Sequence, residues 1–158
     1  MNTEDKLAAA LWEADRHLRT LQEALKEWEA DPAAGWEALD ADRLKVRLVD
    51  QLLFRFTKLQ DALGERLIPG TLNLLQEPFE PWPMRDRLNR LEKLGFLDVN
   101  PWLAWREIRN RLAHEYPDQP EMRFAALLAA INAARDLAEL YGRWRQQIQE
   151  NQRSNASQ

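Results

Sequence analysis

Between Leu7 and Trp28, apolar residues recur at alternating steps of four and three: Leu7, Leu11, Ala14, Leu18, Leu21, Leu25 and Trp28. A strand would need alternation every second residue, whereas this spacing lays one continuous stripe along a helix of about seven turns. A helix of that kind cannot stay alone in water. It must bury its stripe against other helices, so the seam predicts an antiparallel helical bundle. The helix is expected over residues 4–30, ended by Asp31-Pro32 and Gly35.

The rest of the chain keeps this helical character. Asp40 or Asp42 is expected to cap a second helix reaching about Leu63, with Val49, Leu52, Phe56, Leu59 and Leu63 on its seam. Pro69-Gly70 is expected to end that pattern, leaving Thr71–Glu77 as one or two further turns. Arg47, Gln51, Phe54, Lys58 and Asp61 form a second stripe on this helix, either a solvated face or the wall of a cleft or dimer surface. Pro78, Pro81 and Pro83 break regular structure, and Phe79 and Trp82 pin that loop to the core. A short helix follows over Met84–Leu94, with Gly95 as its C′ residue. Asn100-Pro101 reads as a start signal and Pro117 as a stop. Asp118 and Glu121 read as a capping pair for a last helix to about Ile148. The expected fold is all-α, an antiparallel four- to five-helix bundle in one domain over residues 1–148, with a polar, disordered tail over 149–158.

Composition narrows the function classes. The chain has 158 residues and no cysteine, which excludes disulfides and thiolate metal sites and fits a reducing compartment. No apolar run approaches the ~20 residues of a membrane span, and the first residues lack the pattern of a secretory signal. The expected location is the cytoplasm. The two histidines, His17 and His114, are too isolated to form a metal-ligand motif, and no glycine loop for a nucleotide is present. No metal and no cofactor are expected. The net charge of −4 argues against broad, nonspecific nucleic-acid binding. That charge resides wholly in residues 1–31, with eight acids and four bases, while Arg85–Arg111 carries seven bases and four acids.

One stretch carries chemistry: Arg109-Asn110-Arg111-Leu112-Ala113-His114-Glu115-Tyr116. A phosphodiester can be cleaved without metal when a base takes the 2′-hydroxyl proton and a cation steadies the phosphoryl oxygens. Imidazole titrates near neutral pH, and guanidinium matches phosphate oxygens with its planar fork. Asn110 and His114 share a helix face, whereas Arg109 and His114 stand about 140° apart on an unbroken helix. Convergence therefore requires the helix to loosen before Pro117, or a second protomer to complete the site. In the plain structural alternative, Arg109 and His114 serve the carbonyl end of the helix and its dipole, and Tyr116 edges the core.

The pattern Arg109-Asn110-x-x-x-His114-x-Tyr116 resembles the RX4HXY signature of HEPN-domain proteins, in particular the HepT-like branch. The segment Leu88–Gly95, which ends in Leu-Glu-Lys-Leu-Gly, and the stretch Phe54–Gln60 also resemble that family and the related substrate-binding partners of nucleotidyltransferases. The resemblance spans roughly residues 5–148. It implies a two-fold dimer that acts as a metal-independent endoribonuclease, the toxin of a type VII-like toxin–antitoxin pair whose antitoxin is a minimal nucleotidyltransferase. Arg109 and His114 would be catalytic and Asn110 supporting. Tyr116 would be the residue nucleotidylated by the partner, which would set bulk and negative charge beside the site. Arg106, Arg111 and Lys58 would contact RNA or the partner. The alternative within the same resemblance is a non-catalytic adaptor that binds a nucleotidyltransferase.

Overall fold

The computed structural model describes residues 1–112 and 116–158, and no strand occurs among them. The first helix, α1 (Thr3–Ala30), opens on a reciprocal cap: the Asp5 amide donates to the Asn2 side chain, and the Asn2 amide donates to the Asp5 carboxylate. Its seam faces the core as expected. Leu7, Ala14, Leu21, Leu25 and Trp28 are buried, with Leu11 and Leu18 packed at the edge.

A short α2 (Trp36–Ala41) precedes α3 (Arg43–Ala62), and Asp42, rather than Asp40, caps α3 by accepting from the amides of Leu44 and Lys45. Lys45 reaches Asp31 near one end of the α1–α3 pair, and Arg66 reaches Glu13 toward the other. The two helices therefore run antiparallel. Residues 43–62 place Val49, Leu52, Phe56 and Leu59 against α1 and the rest of the core.

Pro69-Gly70 does not end the helical path. A π-helical turn (Leu63–Leu67) follows α3, and α4 (Ile68–Leu74) continues from it. The wider turn pairs the Ile68 amide with Leu63 O, five residues back, which moves the backbone aside and leaves Pro69 in the first turn of α4. Gly70 lies against α1: a Cβ there would stand 3.2 Å from Leu7 Cδ1. Thr71 bridges two elements, donating to Leu67 O at 2.7 Å and accepting from the Trp144 indole N–H at 3.0 Å.

The proline-containing loop is held by buried Phe79 and by Arg87, which covers the Phe79 ring at 4.9 Å and donates to Trp82 O. Then comes α5 (Met84–Lys93), ended by Gly95 at φ +85°, where glycine avoids the strain a side chain would meet. The next helix, α6 (Val99–Arg111), starts before Asn100-Pro101, with Asp98 at its N-cap. Its free Val99 amide is satisfied by a carboxylate from another element, Glu92 of α5, at 2.7 Å. The last helix, α7 (Pro120–Ala156), starts from Gln119 with Pro120 in its first turn, and neither Asp118 nor Glu121 caps it. The polar segment 149–158, expected as a disordered tail, is helical through Ala156. Buried Ile148 anchors it, and the Gln, Glu, Asn and Arg residues beyond continue the spiral in solvent.

On the other flank, Asp15 ties α1 to α7. It accepts from the Tyr141 hydroxyl at 2.6 Å and pairs bidentately with Arg145 at 2.9 Å for each arm. Burial and the neighbouring carboxylate push the Tyr141 phenol above its usual range, so it stays a donor. No helix among the described residues is long and apolar enough to cross a membrane.

Thr71→Val keeps the shape at a buried position but leaves the Trp144 N–H without an acceptor. The expected loss is about 1–3 kcal/mol of unfolding free energy, the cost of a buried unpaired donor, read by urea denaturation.

Candidate functional site

The last turn of α6 positions Arg109, Asn110 and Arg111. Trp102 and Val99 bury the start of the helix, and Trp105, Ile108 and Leu112 pack at the edge of the core. That anchoring turns Arg109 toward α3, where its Nη1 donates to the Asp61 carboxylate. Both side chains are about one-third exposed. Arg111 departs on a different side and pairs with Glu107 one turn earlier. Asn110 and Arg106 are exposed. His114, the expected general base, lies with Ala113 and Glu115 outside the described residues.

Tyr116 follows in a left-handed backbone conformation, φ +44°, and Asp118 has φ +61°. Such angles cost a residue with a side chain about 1–3 kcal/mol and persist only where the surroundings hold them. Here the Tyr116 carbonyl accepts from the Gln119 amide at 3.2 Å and from Arg123 Nε at 3.0 Å. Arg123 also lies over the Trp36 ring at 5.2 Å. Tyr116 borders a groove of about 560 Å³ whose walls include Trp36, Val49, Leu53, Leu112 and Arg123. A smaller groove of about 230 Å³, lined by Ile108, Met122 and Ala129 among others, also reaches Tyr116 and Arg111. The structure thus sets Arg111 and Tyr116 together at the grooves and turns Arg109 away toward α3.

Lys58 lies on α3 with its Nζ 5.7 Å from the centre of the exposed Phe54 ring, and it is three residues from Asp61. Arg47, Gln51, Phe54 and Lys58 of the second stripe of α3 are exposed, and its last member, Asp61, meets Arg109. Two features of this region carry no local sequence signal. Gln60 is 2% exposed with both amide atoms unpaired, and the Trp102 indole N–H is also unpaired. Gly64 joins these two: it is one turn after Gln60, and a Cβ on it would stand 3.7 Å from the Trp102 ring.

His17, too isolated in sequence for a metal-ligand motif, has a partner in the fold. It is mostly buried between α1 and α3, and its Nδ1 lies 3.0 Å from Arg55 Nη1. Arginine always carries its protons, so it donates and His17 accepts as the neutral imidazole. Glu13 stands 3.8 Å from His17 Nε2 and pairs with Arg66 at 2.7 Å. Burial, then the Arg55 charge, hold the His17 pKa below its ordinary value; Arg16 and Lys58 act in the same direction and Glu13 opposes them.

Four of the eight acids in residues 1–31 form ion pairs with bases from later in the chain. Glu13 pairs with Arg66, Asp15 with Arg145, Glu29 with Arg135 and Asp31 with Lys45. The net charge of residues 1–31 thus overstates the negative field they project. Among the described residues, no group of three or more His, Asp or Glu side chains is placed to hold a metal ion. Comparison with known proteins leaves the geometry to stand alone: no family model matches the chain, and no curated protein and no solved structure matches it.

The lowered His17 pKa makes a signed prediction. The unfolded chain takes a proton on His17 near pH 6.5, and the folded chain takes it only at lower pH. The stability this neutral histidine contributes is complete above pH 6.5 and is lost as pH falls from there toward the folded pKa. Chemical denaturation from pH 7.5 to 5 is expected to show that decline in the wild type, and a shallower one in His17→Gln.

Proposed function

We propose that this chain is a metal-independent endoribonuclease of the HEPN type, active as a homodimer. In this reading it is the toxin of a pair whose antitoxin is a nucleotidyltransferase. The observation that carries the reading is where Arg109, Asn110 and Tyr116 of the Arg109-Asn110…His114-x-Tyr116 pattern lie. Arg109 and Asn110 lie in the final turn of α6, Tyr116 lies before the long α7, and among the described residues Arg109, about one-third exposed, pairs with no carboxylate but Asp61. Asp61 fixes the direction of the guanidinium, and the remaining edge of the fork is suited to a phosphate. Arg109 then steadies the phosphoryl charge, His114 takes the 2′-hydroxyl proton, and Asn110 orients the strand. Tyr116, beside the grooves, is the residue for the partner to modify.

The Arg109–Asp61 pair also favours a second reading. A guanidinium already matched by a carboxylate suits a docking surface, and an adaptor for a nucleotidyltransferase would need no more than that.

Cleavage of total RNA in EDTA separates the two. Wild-type protein freed of partner, with Tyr116 shown by mass spectrometry to be unmodified, is expected to cut. His114→Ala is expected to be inactive, and Arg109→Ala to lose about 10²–10³-fold, the usual effect of removing one group that stabilises transition-state charge. Intact RNA with the wild type assigns the chain to the adaptor reading, and full activity in His114→Ala removes the catalytic role of that residue.

A further inference from the structure

Two large aromatic rings stand outside the core for no reason of folding. Trp12 on α1 is 62% exposed and Phe54 on α3 is 53% exposed. Neither lies at the margin of a buried face. Ala10 and Ala14, two residues to either side of Trp12, are both buried, as are Leu52 and Phe56 around Phe54. Two helical residues turn the chain by about 200°, so each ring projects directly away from the core.

Each ring carries a cation. Arg16 lies over Trp12 at 4.8 Å, and Arg55 and Lys58 lie over Phe54 at 5.5 and 5.7 Å. These three cations gather across the α1–α3 pair: Arg16 adjoins His17 on α1, His17 Nδ1 lies 3.0 Å from Arg55 Nη1, and Lys58 is three residues beyond Arg55 on α3. The nearby acids are engaged: Glu13 holds Arg66 and Asp61 holds Arg109. Among the described residues, no carboxylate forms an ion pair with Arg16, Arg55 or Lys58.

We infer that the outward face of α1 and α3 is a platform for single-stranded RNA, with Trp12 and Phe54 stacking bases and the exposed Arg16 and Lys58 meeting phosphates, while Arg55 is held by His17 beneath them. Exposed rings beside exposed cations that pair with no carboxylate match a polymer that alternates flat apolar bases with anions. A duplex hides its base faces, and a membrane surface or an apolar protein partner would call for a continuous apolar stripe instead of isolated rings. The platform also leads toward the candidate site. Lys58 is one helical turn from Asp61, which holds Arg109, so a strand lying along α3 passes from Phe54 to Arg109. The inference deepens the nuclease reading and rests on it for what happens to the bound strand, but not for the binding itself.

The test is fluorescence anisotropy of a short labelled oligo(A) with the full chain in EDTA, using His114→Ala as background so that the strand stays intact. Trp12→Ala and Phe54→Ala are each expected to weaken binding by about 5- to 100-fold, the range for losing one base–aromatic stack. Trp12→Phe should recover part of the loss. Lys58→Ala is expected to make the dependence of log affinity on log salt shallower by about 0.7, one phosphate contact on a single strand. Unchanged melting temperatures would show that these exposed substitutions leave the fold intact. Affinity unaltered in both alanine variants, or no binding of oligo(A) by the unsubstituted background, overturns the platform and assigns the face to a protein partner. If the aromatic variants lose binding while wild-type protein never cuts RNA, the nuclease reading falls and the platform stands. If wild type cuts RNA and the aromatic variants bind as well as the background, the platform alone falls.

Discussion

The packing of α1 against α3 sets the orientation of nearly everything that could act on a ligand. Each helix has one buried face, and burying it leaves three kinds of surface. The flank of α1 away from α3 meets α7 through Asp15, Tyr141 and Arg145. The flank of α3 away from α1 meets α6 through Asp61 and Arg109. The outward faces carry Trp12 and Phe54. A leucine side chain brought out of water contributes about 1.5–3 kcal/mol, whereas a half-exposed ion pair contributes about 0–1 kcal/mol. The seam therefore decides where the helices lie, and the ion pairs adjust to it.

The junction between α3 and α4 shows how a local irregularity serves that packing. A regular helix through Pro69 would clash with the carbonyl four residues back and lose a hydrogen bond. The π turn absorbs the proline without breaking the path. It leaves Gly70 free to approach Leu7 and brings Thr71 under the Trp144 indole. One extra residue in a turn thus joins α1, α4 and α7 at a single buried point. Proline and glycine are signals of interruption when only neighbours in sequence are considered, and here tertiary contact reverses that meaning.

The same distinction explains what was legible in the sequence. The all-α class, the α1 seam, an aspartate cap on α3 at position 40 or 42 and the Gly95 terminator rest on periodicity and on bonds between residues a few positions apart, and these are visible in the chain itself. The α6 start was misplaced because its amide is capped by Glu92, a partner seven residues away on another helix. The end of α7 was set too early because a polar run reads as a tail, although good helix formers anchored by buried Ile148 continue a helix in solvent. In the candidate site, Arg109 was singled out by its neighbours in sequence, but its partner Asp61 is 48 residues away. The Arg55–His17 contact spans 38 residues. Long-range polar pairing leaves no periodic trace, so neither pair was readable without the fold.

The Arg109–Asp61 pair is where architecture and proposed chemistry meet, and its exposure governs what it permits. A fully buried pair would resist a competing anion, because separating it strands a charge in a poor dielectric. At about one-third exposure, solvent screens the two charges and the pair costs little to loosen or to share. Asp61 can then hold the guanidinium in direction while the other N–H groups take a phosphate, which a fork of several donors allows and a lysine ammonium would not. For the proposed phosphate substrate that carboxylate also sets a limit: it would repel the anion as it positions the arginine. In the proposed nuclease, Arg16 and Lys58, which pair with no carboxylate among the described residues and lie on the same two helices, would supply the attraction that Asp61 withholds. On the proposed reading, affinity would come from the outward face of the α1–α3 pair, and direction from the carboxylate that turns Arg109.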